Sequence, residues 1–259
     1  MKRISLVVVV MFLITSPTGL SNSSDDRDVI FQTSPINALF KGVYDGDLTY
    51  KELKKYGDFG LGTFNNLDGE MVAIDGRFYQ IKADGKVYPV HDSMKTPFAT
   101  VTFFEPDRTV LIKKSMSYEK LQSYLDSLLP SNNIFYSIKI EAEFEHIKFR
   151  SVPRQERPYK PLTDALKKET VFELNELKGT AVGFRTPGYI EGLNVPGYHL
   201  HFITEDIAMG GHLLDCLIRE ARIEIDLSSG FYMTLPETPE FRKTDLDIYN
   251  KINLDKTEN

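Results

Sequence analysis

Between residues 134 and 149 the apolar positions fall on every second residue. Ile134, Tyr136, Ile138, Ile140, Ala142 and Phe144 alternate with mostly polar neighbours. A period of two sends successive side chains to opposite faces, so the pattern predicts one long strand with one face buried. Shorter β signals come before it at 60–64, 71–74, 77–82 and 98–104, and after it at 171–177, 179–184, 198–203 and 221–227. Asp75 and Gly76 separate two of these runs and predict a tight hairpin, because the favoured two-residue turns need positive φ, which Asp and Gly tolerate. Helical spacing is clearest at 117–129, where Leu121, Tyr124, Leu125 and Leu128 share one face ahead of Pro130. Shorter helices are expected at 49–55 and at 161–168, the latter opened by Pro161. No internal repeat or low-complexity tract interrupts this series. The expected fold class is α+β (mixed α/β), with two sheet-based domains and few helices.

The first residues follow a different logic. Met1, Lys2 and Arg3 precede an apolar run over 4–14, and a zone of small residues follows at Ser16, Pro17, Thr18 and Gly19. That is the layout of a signal peptide, expected over 1–21, and it is too short to span a bilayer comfortably. Residues 22–29 read as a polar, disordered leader, so the mature chain is expected to be exported with no membrane span left. A basic, Pro-containing stretch after Ser151 (SVPRQERPYKP) reads as a linker. It divides an N-terminal sheet domain, 30–150, from a C-terminal domain, 151–259.

Composition narrows the chemistry. The 259 residues hold 31 Lys+Arg against 37 Asp+Glu, a net charge of −6 that becomes −8 when Lys2 and Arg3 leave with the signal. With no Lys/Arg block interleaved with aromatics, nucleic acid is not an expected partner. A small anionic ligand would need positive charge gathered locally. The one cysteine, Cys216, excludes an internal disulfide and a multi-thiolate metal site, and its neighbours Leu213, Leu214, Leu217 and Ile218 mark it as a core residue. Metal chemistry must therefore run on carboxylates and the five histidines.

Three of those histidines lie within fourteen residues. His199 and His201 stand two apart on a predicted strand and share a face. The turn-like Ala208, Met209, Gly210 and Gly211 would reverse the chain and carry His212 across that face. Three imidazoles with no fourth protein ligand describe an open catalytic zinc site, whereas a chance grouping of strand histidines is the bland alternative. Arg150, at the end of the long strand, and Arg185 are the candidates to receive a carboxylate, each with a surface ion pair as its alternative. Glu70 joins a polar turn to an apolar strand, either closing the turn or aimed into a site. His91 and His146 have no partner pattern.

The segment Leu61-Gly-Thr-Phe-Asn-Asn-Leu-Asp-Gly-Glu70-Met, followed by Tyr79, carries a resemblance. So do Gly179-Thr-Ala-Val-Gly-Phe-Arg185-Thr-Pro, Gly197-Tyr-His199-Leu-His201-Phe and Gly210-Gly-His212. In order and spacing, from about Ile30 to the C-terminus, the chain resembles the alpha-acetolactate decarboxylases. The resemblance implies a two-domain α/β enzyme, usually a homodimer, that converts 2-acetolactate, a small anionic 2-hydroxy-3-keto acid, to acetoin and CO2 through a metal-stabilised enediolate. It implies Zn2+ on His199, His201 and His212 in the C-terminal domain. It further implies a site completed by Glu70, Arg150, Thr63 and Glu258, the last brought in by a tail folded over the metal. From the residues alone, two other readings share the histidine pattern and stay open: a secreted three-histidine zinc hydrolase and a non-catalytic cupin-like metal- or ligand-binding module.

Overall fold

The computed structural model describes residues 28–247. The expected signal peptide, the leader through Arg27 and Glu258 lie outside the described residues. The first half contains β1 (Val29–Thr33), α1 (Ile36–Phe40), β2 (Leu48–Thr49), α2 (Tyr50–Leu53), β3 (Phe59–Thr63), β4 (Glu70–Ile74), β5 (Arg77–Ile81), β6 (Val87–Pro89), β7 (Lys95–Thr96), β8 (Ala99–Thr102), β9 (Arg108–Ile112) and β10 (Met116–Ser117). Then come α3 (Tyr118–Leu128), β11 (Phe135–Ser151), α4 (Leu162–Ala165), β12 (Thr170–Thr186), β13 (Gly197–Thr204), β14 (Gly210–Ser228), β15 (Gly230–Thr234) and α5 (Pro239–Lys243). Among the described residues no helix is long and apolar enough to cross a membrane.

Two larger sheets organise these strands. One runs in the order β15-β1-β8-β3-β4-β5-β6, and the other in the order β10-β14-β11-β12-β13, with β9 also on β14. Because β13 pairs with β14 as well as with β12, the strands β11, β12, β13 and β14 close on one another as a ring. The sheets do not divide the chain at Arg150. The whole of β11 belongs to the second sheet, held between β12 and β14, and β15 returns to the first sheet, where it pairs in parallel with β1. The basic stretch after Ser151 is thus a connection between two strands of one sheet.

The periodicity is realised with two corrections of length. The apolar alternation becomes the 17-residue β11, with Tyr136, Ile138 and Ile140 buried. The two runs expected at 171–177 and 179–184 are one strand, β12, kinked at Glu176, where φ is +52 and the pairing skips a residue. The register is the same on both sides of the kink, so the ladder continues while the strand bends. Gly179 looked like punctuation but serves packing, since a Cβ there would lie 2.4 Å from the Phe202 ring. The Asp75-Gly76 turn does join β4 to β5. The expected short helix at 49–55 is α2, closed by a reciprocal cap between Thr49 and Glu52.

The two sheets face each other through apolar side chains. Phe59, Val72 and Ile81 of the first pack on Val182 and Ile203 of the second, and Phe59 meets Phe184 edge-on at 6.3 Å. Full burial of each such side chain stabilises by roughly 1.5–3 kcal/mol. Cys216 is buried in the core of the second sheet, and burial pushes its thiol up to about 12, which leaves it inert.

One buried group opposes stability. Asp226 lies opposite Ser137, and its Oδ2 has no hydrogen-bond partner among the described residues. Burial pushes its carboxyl up to about 7, aided by Asp107, Asp28 and Glu105 and opposed by a hydrogen bond from the Glu105 backbone. The folded chain thus holds this proton more tightly than the unfolded chain does. Stability from this group is complete below its ordinary 3.8 and is lost as pH rises toward about 7. Asp226→Asn is expected to raise the thermal midpoint by about 3–6 °C at pH 8 and to leave it unchanged at pH 4. Melting curves at the two pH values check this, and equal midpoints at pH 8 would contradict it.

Candidate active site

Strand pairing alone assembles most of the site. His201 on β13 lies directly opposite His212 on β14, and His212 lies directly opposite Arg150 on β11. Directly opposed residues share a face, so Arg150, His212 and His201 form one row across three strands, with His199 two residues along on the same face. The imidazole centroids are 5.0 to 5.3 Å apart. One ligating nitrogen from each ring lies within 4.8 Å of the others, an arrangement that could hold a metal ion.

The glycines before His212 act differently from the expectation. The chain reverses over 204–209, where the Thr204 N–H donates to the Met209 carbonyl at 2.9 Å and the Ile207 N–H to the Thr204 carbonyl at 2.9 Å. Gly210 and Gly211 open β14 instead. Gly211 has φ +155, and a Cβ on it would lie 2.3 Å from the Arg150 carbonyl oxygen; one on Gly210 would lie 2.3 Å from that of Phe202. Their small size lets β14 enter between β11 and β13, which is what seats His212 in the row.

The histidines are held neutral. Burial pushes His201 down to about 4, opposed by its bond to Met71 and aided by Arg150. His199 and His212 are driven well below the ordinary histidine range by burial first, then by their histidine neighbours and Arg150. With Nδ1–H of His201 donating to the Met71 carbonyl at 2.8 Å, its Nε2 carries the lone pair. His199 Nδ1 is buried with no hydrogen-bond partner among the described residues.

The first sheet supplies the acid. Glu70 begins β4 opposite Thr63 and Ile81, and its Oε2 stands 3.6 Å from His201 Nε2. Burial raises its carboxyl to about 7, with Arg150 pulling it down and Glu169 pushing it up. Thr63 is buried, and its hydroxyl donates to the Gly69 carbonyl at 2.6 Å, bracing the turn that presents Glu70. Arg150 Nη1 donates to Glu169 Oε2 at 2.5 Å. Arg185 is elsewhere: it opposes Tyr198, one residue from His199 and so on the other face, and it donates to the Asn132 carbonyl at 2.9 Å. His91 is exposed, and His146 Nδ1 pairs with Asn175 at 2.9 Å, so neither joins the cluster. Sequence reasoning missed Glu169 and the Met71 carbonyl. No local pattern marks either: the β11–β12 register brings Glu169 to Arg150, and the packing of one sheet on the other brings the Met71 carbonyl to His201.

Comparison with known proteins now adds to the geometry. Residues 30–248 match the family model described as alpha-acetolactate decarboxylase. The chain belongs to that family. It is 50% identical over 236 residues to the alpha-acetolactate decarboxylase of Methanosarcina mazei, covering 91% of this chain and 82% of that one. With the enzyme of Bacillus subtilis strain 168 it shares 42% over 230 residues, 88% of this chain and 90% of the relative. The crystal structure of alpha-acetolactate decarboxylase from the same strain superposes with a TM-score of 0.83, covering 85% of this chain and 94% of the other. The protein is accordingly an alpha-acetolactate decarboxylase, a carboxy-lyase that forms acetoin, with a sheet-rich mixed fold and few helices. Nothing in these likenesses supports the hydrolase or the cupin-like alternative.

Proposed function

We propose that the decarboxylase works with a zinc ion on His199, His201 and His212. The observation that carries this reading is a set of three neutral imidazoles with ligating nitrogens within 4.8 Å, one of them fixed by the Met71 carbonyl. The buried, unpartnered Nδ1 of His199 fits the same reading, because an orphaned buried polar atom costs stability unless something binds it. When bound by three neutral ligands, zinc supplies an undiminished positive charge that polarises the keto oxygen of acetolactate.

The chain's own residues do the rest. Arg150 receives the substrate carboxylate on its planar fork and fixes the bond that will break. As that carbon–carbon bond breaks, CO2 leaves and the bonding pair stays on the substrate carbon. Glu70 then delivers its carboxyl proton to that carbon, the bond the product keeps. Burial suits Glu70 to this role, since a carboxyl raised to about 7 still carries a proton near neutrality. Thr63 holds the Glu70 turn in place through Gly69. On the resemblance, Glu258 is assigned as a second carboxylate brought in by the tail.

Chelator treatment tests the metal. Removal of metal is expected to abolish acetoin formation, and stoichiometric zinc to restore it, with metal content measured beside each assay. Full activity in metal-free protein would refute the reading. Two features of the whole molecule belong to the same proposal: export, from the apolar run behind Lys2 and Arg3, and a homodimer, from the resemblance. The N-terminal residue of mature protein reads the first, and light scattering the second.

A further inference from the structure

Arg150 is not free to meet a carboxylate in any orientation. Val171 lies opposite it in the β11–β12 register, and Glu169 lies two residues before Val171, diagonal to Arg150 on the same face. The chain reaches that position from the turn at Leu166–Lys168, where the Glu169 N–H donates to the Leu166 carbonyl at 3.1 Å. The carboxylate is thus set by backbone at both ends, and its Oε2 takes Nη1 of Arg150 at 2.5 Å. Both side chains are partly covered, 19% and 24% exposed. Nε of Arg150, by contrast, is buried with no hydrogen-bond partner among the described residues.

A guanidinium offers a carboxylate two forked edges, Nη1 with Nη2 or Nε with Nη2. With Nη1 occupied, the edge left is the one that includes the orphaned Nε. We propose that Glu169 is a positioning residue that fixes Arg150 so that the substrate carboxylate docks on the Nε–Nη2 edge. The proposal rests on the assignment of Arg150 to the substrate carboxylate made above.

Two physical consequences follow from the pair. A long arginine side chain has many rotamers to lose, and Glu169 removes that freedom before substrate arrives. The pair is also nearly neutral as a unit, so it selects a carboxylate by hydrogen-bond geometry without presenting a surplus of positive charge. Without Glu169, Arg150 would carry an uncompensated charge and would hold any small anion more tightly.

The two ways of altering Glu169 therefore differ in outcome. Glu169→Gln keeps an oxygen acceptor for Nη1 but removes the negative charge. It is expected to leave kcat within about threefold, while KM for acetolactate and the inhibition constant of acetate both fall by about threefold or more. Glu169→Ala releases Arg150 and is expected to lower kcat by about tenfold. The experiment measures kcat, KM and acetate inhibition for the zinc-loaded wild type, both variants, Arg150→Ala and the double variant Arg150→Ala/Glu169→Ala. Loss of the Glu169→Ala effect in the Arg150→Ala background supports positioning through Arg150. If Arg150→Ala is impaired while both Glu169 variants match wild type in all three constants, this proposal fails and the role of Arg150 stands. Additive losses in the double variant would place Glu169 in some other role and also overturn it. Normal turnover by Arg150→Ala would instead overturn the reading beneath it. If Glu169→Ala does not fold, the acetate inhibition of Glu169→Gln decides, since a purely structural residue has no reason to tighten anion binding.

Discussion

His199→Ala is expected to give a folded protein that neither retains zinc nor forms acetoin. The side chain contributes one of three nitrogens within 4.8 Å, and two imidazoles do not make the three-ligand site that catalytic zinc uses. Loss of a Lewis acid worth several kcal/mol to the transition state corresponds to a fall of about three powers of ten in kcat. Folding is expected to survive, because among the described residues Nδ1 of His199 has no hydrogen-bond partner that the variant would lose. The distinguishing measurement is thermal unfolding with and without zinc. The wild type should melt higher with the metal, since a ligand that binds only the folded state stabilises it, and the variant should not respond. A variant that keeps stoichiometric zinc and a zinc-dependent midpoint would remove His199 from the ligand set.

Glu70→Gln should separate proton delivery from metal binding. Glutamine keeps the size of the side chain in its place on β4, opposite Thr63 and Ile81, but has no acidic proton to give. A positioned general acid contributes about 10^2- to 10^4-fold, so kcat is expected to fall by that amount while zinc content and thermal stability stay close to wild type. Stopped-flow measurement of CO2 release beside an acetoin assay tells where the loss occurs. If CO2 is still released at the normal rate but acetoin appears late, the defect lies in protonation. A variant within tenfold of wild type in both assays would exclude Glu70 as the donor.

Much of this centre was legible in the linear sequence, for a physical reason that also explains what was not. His199 and His201 stand two apart on a strand, and a strand has a period of two, so their shared face follows from local geometry alone. Pairing His212 with them needed only a short hairpin, though the reversal falls at 204–209 and the glycines serve close strand approach instead. Glu70 showed itself as an acid at a turn, but its neighbour 3.6 Å away is a histidine on a distant strand. Contacts of this kind are set by packing and pairing between remote segments, and nothing near either residue encodes them. Glu169 is the clearest case. Its partner Arg150 is nineteen residues away, and only the β11–β12 register makes them neighbours. That β11 and β12 lie in one sheet, on either side of the basic stretch, was hidden for a related reason. A basic, Pro-containing stretch marks a connection, and composition does not say whether the strands it connects lie in one sheet or two.

The parallel pairing of β1 with β15 bears on how the protein is made. Val29 pairs with Gly230 and Thr33 with Thr234, so the sheet that presents Glu70 receives its outermost strand from almost the last part of the described chain. Synthesis runs from the N-terminus, and until residue 234 has left the ribosome β1 is an unprotected border strand. The polypeptide therefore completes its fold late, only once nearly all of the described chain has been made.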